Sequence, residues 1–254
     1  MSWGTERRNS IIFIFFVIVL AIFAYVLYDA LYEPPNCFDK KWNGDEVGID
    51  CGGSCELLCE SQVLNPIIRF TRLFEVAPGV YNVLAYLENP NPTGGVEKVS
   101  YRFKIFDDKN VLLQERRGTV VIYPKSIIPV LESSLAVGKL EATRVAFEFS
   151  EPLIWKKQEL VESTILIQDE EISNIDDEPR IRAIVKNTGL VALKDVKIVA
   201  IVYDQNDNAI ASSRTLFETM PPNTDLEAFF AWSQPFSSEP FRFELIPIYD
   251  RSNN

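Results

Sequence analysis

Two stretches decide the fold: Arg180 to Ala211, RIRAIVKNTGLVALKDVKIVAIVYDQNDNAIA, and Tyr81 to Leu113, YNVLAYLENPNPTGGVEKVSYRFKIFDDKNVLL. Laid over one another, Asn89 falls on Asn187, Asp107 on Asp204, and Tyr123-Pro124 on Met220-Pro221, with an offset that stays at 97–98 residues. A fixed offset of this kind is the mark of an internal duplication. The hydrophobic period inside each copy is two, the period of a strand with one buried face. Val83, Ala85 and Leu87 match Ile181, Ala183 and Val185, while Val99, Tyr101, Phe103 and Ile105 match Val196, Ile198, Ala200 and Val202. These predict two equivalent cores, with Arg102, Lys104, Arg182 and Lys186 pointing outward.

Turn residues punctuate the strands: Asn89 to Pro92, Asp107 to Asn110, Asp204 to Asn208 and Pro221 to Asn223. Short strands at regular spacing with little helical signal predict a β-sandwich of about seven strands in each copy. The fold class expected is mainly β, with two tandem Ig-like β-sandwiches. The copies resemble the Ig-like or fibronectin-like bacterial domains of the FxLYD and related adhesion-associated type. The second copy carries that pattern as IVKNTGLVALKDVKIVAIVYDQNDNAIA; the first keeps Asn89, Val99, Phe106, Asp107 and Val111 and puts Pro90 and Pro92 in the turn. The matching residues form turns and core, so the resemblance implies a fold and no activity.

Upstream lies Ile11 to Tyr28, IIFIFFVIVLAIFAYVLY, without a charge, Gly or Pro. At about 1.5 Å per residue this run nearly covers a hydrocarbon core of about 30 Å, and reads as a membrane-spanning helix. Arg7 and Arg8 precede it, Asp29 and Glu33 follow it, and Lys40 and Lys41 lie farther on. Positive charge next to the run favours a cytoplasmic N-terminus and an extracytoplasmic remainder. A cleaved signal peptide shares the pattern of charge followed by an apolar run. Its apolar region is usually shorter, and it ends at a small-x-small site rather than at Tyr25, Leu27 and Tyr28.

All four cysteines fall just beyond this run: Cys37, Cys51, Cys55 and Cys59. An even, clustered set outside a membrane reads as two disulfides, with three pairings open. A metal–thiolate site is the rival reading, but zinc sites prefer C-x₂₋₄-C pairs set apart by a longer spacer. Cys37, Asp39, Asn43, Glu46, Asp50, Cys51, Gly52, Gly53 and Cys55 resemble a small DCGG-type cysteine module of bacterial surface proteins, with Lys40 where that module usually has Gly. The resemblance implies an exported, surface-attached chain. Asp39, Asn43, Asp45, Glu46 and Asp50 also offer hard oxygen ligands, and the module is loosely similar to Notch-type repeats held by disulfides and one calcium ion. Calcium is therefore the candidate cofactor, against a plain polar spacer without one.

Charge and composition exclude other classes. The chain has 25 basic and 36 acidic residues, and only Glu6, Arg7 and Arg8 precede Tyr28, so the remainder is strongly acidic and as a whole repels nucleic acid and anionic lipid headgroups. No His is present, which removes the commonest general base and the Ser-His and Cys-His pairs. Gly52-Gly53 and Gly94-Gly95 open no phosphate-binding loop. No enzyme is expected. The acidic group Asp169, Glu170, Glu171, Asp176, Asp177 and Glu178 reads as a solvated loop rather than a calcium site between domains.

The expected organisation is a cytoplasmic N-terminus (1–10), a transmembrane helix (11–28), a disulfide module (29–62), sandwiches at 63–150 and 165–250 joined by a linker (151–164), and a tail (251–254). The function expected is a membrane-anchored extracytoplasmic scaffold or adhesion-type protein whose partners are the membrane and other cell-envelope proteins. The alternative is a calcium- or glycan-binding surface module.

Overall fold

The structure, a computed structural model, describes residues 3–32, 34, 36–160 and 162–251. Glu33 and the tail beyond Arg251 lie outside the described residues, as does the side chain of Glu6. The chain divides into two compact units, Met1–Cys55 and Glu56–Asn254.

The first unit opens with helix α1, Trp3–Leu31. Its segment Arg7–Leu31 is long and apolar enough to cross a membrane, and none of its most apolar window is buried by protein. A soluble core helix would be covered; this one is bare, as a membrane anchor or a signal segment must be. Beyond it the chain turns tightly around the first cysteines.

The second unit is built from antiparallel strands. In the first copy these are β1 (Ile67–Ala77), β2 (Val80–Glu88), β3 (Gly94–Phe106), β4 (Leu112–Ile122), β5 (Ile127–Ala136) and β6 (Arg144–Phe149). After a two-strand-residue stitch, β7 (Lys156–Lys157), the second copy runs β8 (Ile165–Ser173), β9 (Arg180–Asn187), β10 (Leu193–Tyr203), β11 (Ala209–Met220), β12 (Asp225–Ala231) and β13 (Arg242–Ile248). Among the described residues each copy has six strands, where about seven were expected. The sheet orders are β1-β2-β5 against β4-β3-β6, and β12-β9-β8 against β11-β10-β13. Strand for strand, the two copies have one topology.

Each pair of sheets encloses its own core. Val83, Ala85, Leu87, Val99, Tyr101, Phe103 and Ile105 are buried in the first; Ile181, Val185, Val196, Ile198, Ala200 and Val202 are buried in the second. These are the residues the period-two pattern selects. The duplicated polar positions also take matching roles. Asn89 Nδ2 donates to the carbonyls of Gly94 (2.8 Å) and Tyr123 (2.7 Å), and Asn187 Nδ2 to those of Val191 (2.8 Å) and Met220 (3.0 Å). Each buried amide ties the end of one strand to the turn after another, and the low dielectric around it makes these bonds costly to lose. Asp107 and Asp204 build matching hairpin turns, each carboxylate accepting two backbone N–H groups at 2.7–2.9 Å, with Asn110 and Asp207 in the left-handed region.

Segment 151–164 is no free tether. Trp155 is buried in the first core, the N–H of Leu58 donates to the Trp155 carbonyl (2.9 Å), and that of Gln158 to the Thr93 carbonyl (2.8 Å). Lys156 reaches Glu56 and Glu97 at 3.0 Å each. At its far end, Tyr249 Oη accepts from the Thr164 N–H (2.9 Å). Arg251 likewise lies against the rings of Tyr123 and Tyr249.

Candidate functional site

A third apolar core lies between the two sandwiches. Phe74 of β1, Leu84 of β2 and Leu131 of β5 present the outer face of one sheet of the first copy. Against them lie Val199, Ile201 and Tyr203 of β10 and Ala209 of β11, on the outer face of a sheet of the second. Phe70, Tyr86, Ile246 and Ile248 complete it. The strands in the middle are thus apolar on both sides: in β10, Ile198, Ala200 and Val202 face one core while Val199, Ile201 and Tyr203 face another. Continuous apolar runs are what double-sided burial requires.

The polar rim of this interface is organised around Glu244. Its Oε2 accepts from the phenols of Tyr86 (3.1 Å) and Tyr203 (3.2 Å), one from each copy, and its Oε1 from Arg242 Nη1 (2.7 Å). Arg242 also lies 3.8 Å from the centroid of the Tyr203 ring and pairs with Asp207 at 2.8 Å. Burial and the adjacent Glu244 carboxylate push the Tyr86 phenol up to about 12 and raise that of Tyr203 as well. Elsewhere on the rim, Asn82 Nδ2 donates to the Ser212 carbonyl (3.4 Å) and Arg214 Nη1 to the Leu131 carbonyl (3.4 Å).

The contact is heterologous: the β1-β2-β5 face of one copy meets the β11-β10-β13 face of the other. A repeat stacked in this way leaves the complementary faces open at both ends, and such arrays continue unless the end faces are made polar. Here both end faces carry charged residues, and the second also exposes Phe229 where the first copy has Leu131. On the first copy, Arg102, Lys104 and Glu148 stand where the second has Val199, Ile201 and Ile246, and Glu148 pairs with both Arg102 and Lys104. On the second copy, Arg182 stands where the first has Leu84 and pairs with Glu227 at 2.8 Å, while Lys186 pairs with Asp225 at 3.2 Å. Charged pairs thus stand on both end faces at positions that are apolar in the contact between the copies.

Two open clefts flank the joined sandwiches. One, of about 770 Å³, is lined by Tyr123, Ile127, Glu159, Asp195, Lys197 and Arg251 among others. The other, of about 1100 Å³, includes Asn82, Ser134, Arg180, Arg214, Trp232 and Phe236. In it Trp232 meets Phe236 edge-on, with 5.2 Å between centroids, and the Trp232 indole N–H is buried without a hydrogen-bond partner.

The cysteines are all oxidised. Cys37 is bonded to Cys55, closing a separation of 18 residues, and Cys51 and Cys59 are also in disulfide linkage. Cys37, Cys55 and Glu46 lie close together, but both sulfurs belong to one disulfide and neither is a thiolate ligand. Within the module, Asp50 accepts the backbone N–H groups of Asp39 and Lys40, each at 3.1 Å. Asp39 accepts Lys41 N–H and Asn43 Nδ2, both at 2.8 Å; these bonds hold its carboxyl below the usual range. Glu46 accepts Asn43 N–H (3.2 Å), and Asp45 accepts Ser54 Oγ (2.7 Å). The five candidate calcium ligands thus lie in one short stretch, with oxygens of Asp39, Asp45, Glu46 and Asp50 directed at N–H and O–H groups of the turn. Gly53 must be glycine: at φ +56°, a Cβ would come 2.0 Å from the Asp45 carbonyl oxygen.

The acidic group near the second copy is not one loop. Asp169, Glu170 and Glu171 belong to β8, at an irregularity in its pairing with β9, and Asp169 has φ 52°. Glu171 approaches Arg182 at 4.0 Å, and Glu178 pairs with Arg180 at 3.1 Å.

No protein-family model matches the chain, and none of the curated proteins does. Among solved structures it is similar to red sea bream transglutaminase, at 10% identity over 72% of this chain and 29% of that one, with a TM-score of 0.26. A superposition that loose carries no argument about fold or activity.

Proposed function

We propose that the protein is a non-enzymatic, single-pass membrane scaffold whose two sandwiches act extracytoplasmically as one rigid block, with its clefts and strand edges turned to another cell-envelope protein. The observation that carries this reading is the third core: Val199, Ile201 and Tyr203 against Phe74, Leu84 and Leu131. Binding a partner across two domains loses less entropy when their relative orientation is already set. The bare N-terminal helix supports an anchor, and four oxidised cysteines support an oxidising compartment. In-cell cross-linking with mass spectrometry tests it. Envelope proteins should link to residues beyond 60; exclusively cytoplasmic neighbours would refute the topology.

A second reading, a glycan-binding module, draws on the larger cleft, where Trp232 and Phe236 lie beside Asn82, Ser134, Arg180 and Arg214. Aromatic faces flanked by side-chain hydrogen-bond groups suit sugar rings. Glycan-array binding that disappears with Trp232→Ala would support it, and an array without a signal would leave the scaffold reading alone.

A further inference from the structure

The cysteine module displays residues that a water-exposed spacer has no reason to display. Phe38 is 78% exposed and Trp42 70% exposed, and Lys40 and Lys41 between them are exposed too. The turn that carries them is held by its own carboxylates. Asp50 pins the N–H groups of Asp39 and Lys40, Lys40 sits in the left-handed region at φ 58°, and the Trp42 indole N–H donates to the Glu46 carbonyl (2.8 Å). The Cys37–Cys55 disulfide closes the loop behind them. Acidic groups are thus drawn into backbone bonds while two aromatic rings and the two lysines between them stay exposed.

Chain length says what lies within reach. Only five residues lie between Leu31, the end of α1, and Cys37, so the module begins six residue steps, at most about 22 Å, from the helix end in any conformation. Tyr28 and Tyr32, stacked with 5.0 Å between centroids, mark that end with the aromatic pair typical of a membrane–water boundary. Trp and Phe partition to the same depth, and lysines beside them meet lipid phosphates.

We propose that the loop Phe38–Trp42 is a second membrane contact, seated among the headgroups of the bilayer that α1 spans. It rests on the anchor reading of α1 and goes beyond it: the base of the ectodomain is fixed on the membrane surface at two places rather than swinging from one helix. Phe38 and Trp42 enter the interface, and Lys40 and Lys41 face the phosphates.

The full chain, labelled with 5-fluorotryptophan and reconstituted in phosphatidylcholine–phosphatidylglycerol nanodiscs, provides the test. Its four tryptophans give separate fluorine signals, and Trp42→Phe assigns one of them. A gadolinium-headgroup lipid should broaden the Trp42 signal several-fold more than those of Trp155 and Trp232, and Phe38→Ser or Lys40→Glu should each reduce that broadening. A Trp42 signal broadened no more than that of Trp155, in protein that co-purifies with the nanodisc, would overturn the surface contact and leave the anchor standing. Protein that does not co-purify with the nanodisc would overturn both. Variants that oxidise all four thiols as the parent does, yet broaden equally, would also overturn the role given to Phe38 and Lys40.

Discussion

Ile201→Lys gives the second copy the residue that the first copy carries at the same position, Lys104. Ile201 is fully buried, and its side chain packs between the sandwiches rather than inside either one. Removing a buried isoleucine of this kind costs about 2–5 kcal/mol once the residual cavity is included. An ammonium carried into the same site adds a desolvation penalty unless it reaches water, so the docking free energy should fall by at least about 3 kcal/mol. The cores within the sandwiches should hold, because Ile198, Ala200 and Val202 point the other way. Urea titration followed by fluorine NMR of 5-fluorotryptophan reads the two halves separately: Trp155 is buried in the first core and Trp232 packs on the second. In the parent protein both signals should change at one urea concentration; in Ile201→Lys they should separate. The reciprocal change, Lys104→Ile, removes an exposed-face ion pair with Glu148 and should leave the transitions coincident. If Ile201→Lys shifts the midpoints no more than Lys104→Ile does, the interface is not what joins the halves.

Three further outcomes follow from the same geometry. Asn187→Ala leaves the carbonyls of Val191 and Met220 without their shared donor and should cost about 2–4 kcal/mol in chemical denaturation, with Asn89→Ala comparable for the first copy. The Tyr86 phenol is raised from 10.0 to about 12, and that of Tyr203 is raised too, so the folded state favours the protonated phenols. Their contribution is whole below pH 10 and is lost as pH climbs from 10 toward 12; thermal melts should fall across that window, less steeply in Tyr86→Phe. Gly53→Ala drives a methyl into the Asp45 carbonyl oxygen and should loosen the cysteine module, read as faster amide exchange over residues 38–55 with the sandwich cores unchanged.

Much of this architecture is legible in the sequence because it rests on local periodicity. Val83, Ala85 and Leu87 fall on one face by period two, and the matched Asn89 and Asn187 mark the duplication before any coordinate is known. The contact between the copies is harder to see, because it depends on the residues that alternation assigns to solvent. Its signal is nevertheless present: the first copy reads YRFKIF at Tyr101 to Phe106, with Arg102 and Lys104 on the outer face, whereas the second reads IVAIVY at Ile198 to Tyr203, without a polar outer face. A strand apolar on both sides has two cores to serve. The disulfide pairing stayed open for a different reason, since spacing does not choose among three connectivities and only the folded turn brings Cys37 to Cys55. The roles of Asp39 and Asp50 were hidden as well, because a carboxylate that caps backbone N–H groups and one that awaits a cation look alike in a sequence.

The central claim is that the two sandwiches form one rigid block, and a distance distribution tests it most directly. Lys109, at the tip of the β3–β4 hairpin, and Asn206, at the tip of the β10–β11 hairpin, are exposed and lie one in each copy. Spin labels placed there through non-natural amino acids leave the cysteines untouched, and double electron–electron resonance then reads the separation in the full chain. A single narrow distance, broadened when Ile201→Lys is introduced, is the predicted result. A broad distribution in the parent protein, unchanged by that substitution, would contradict it.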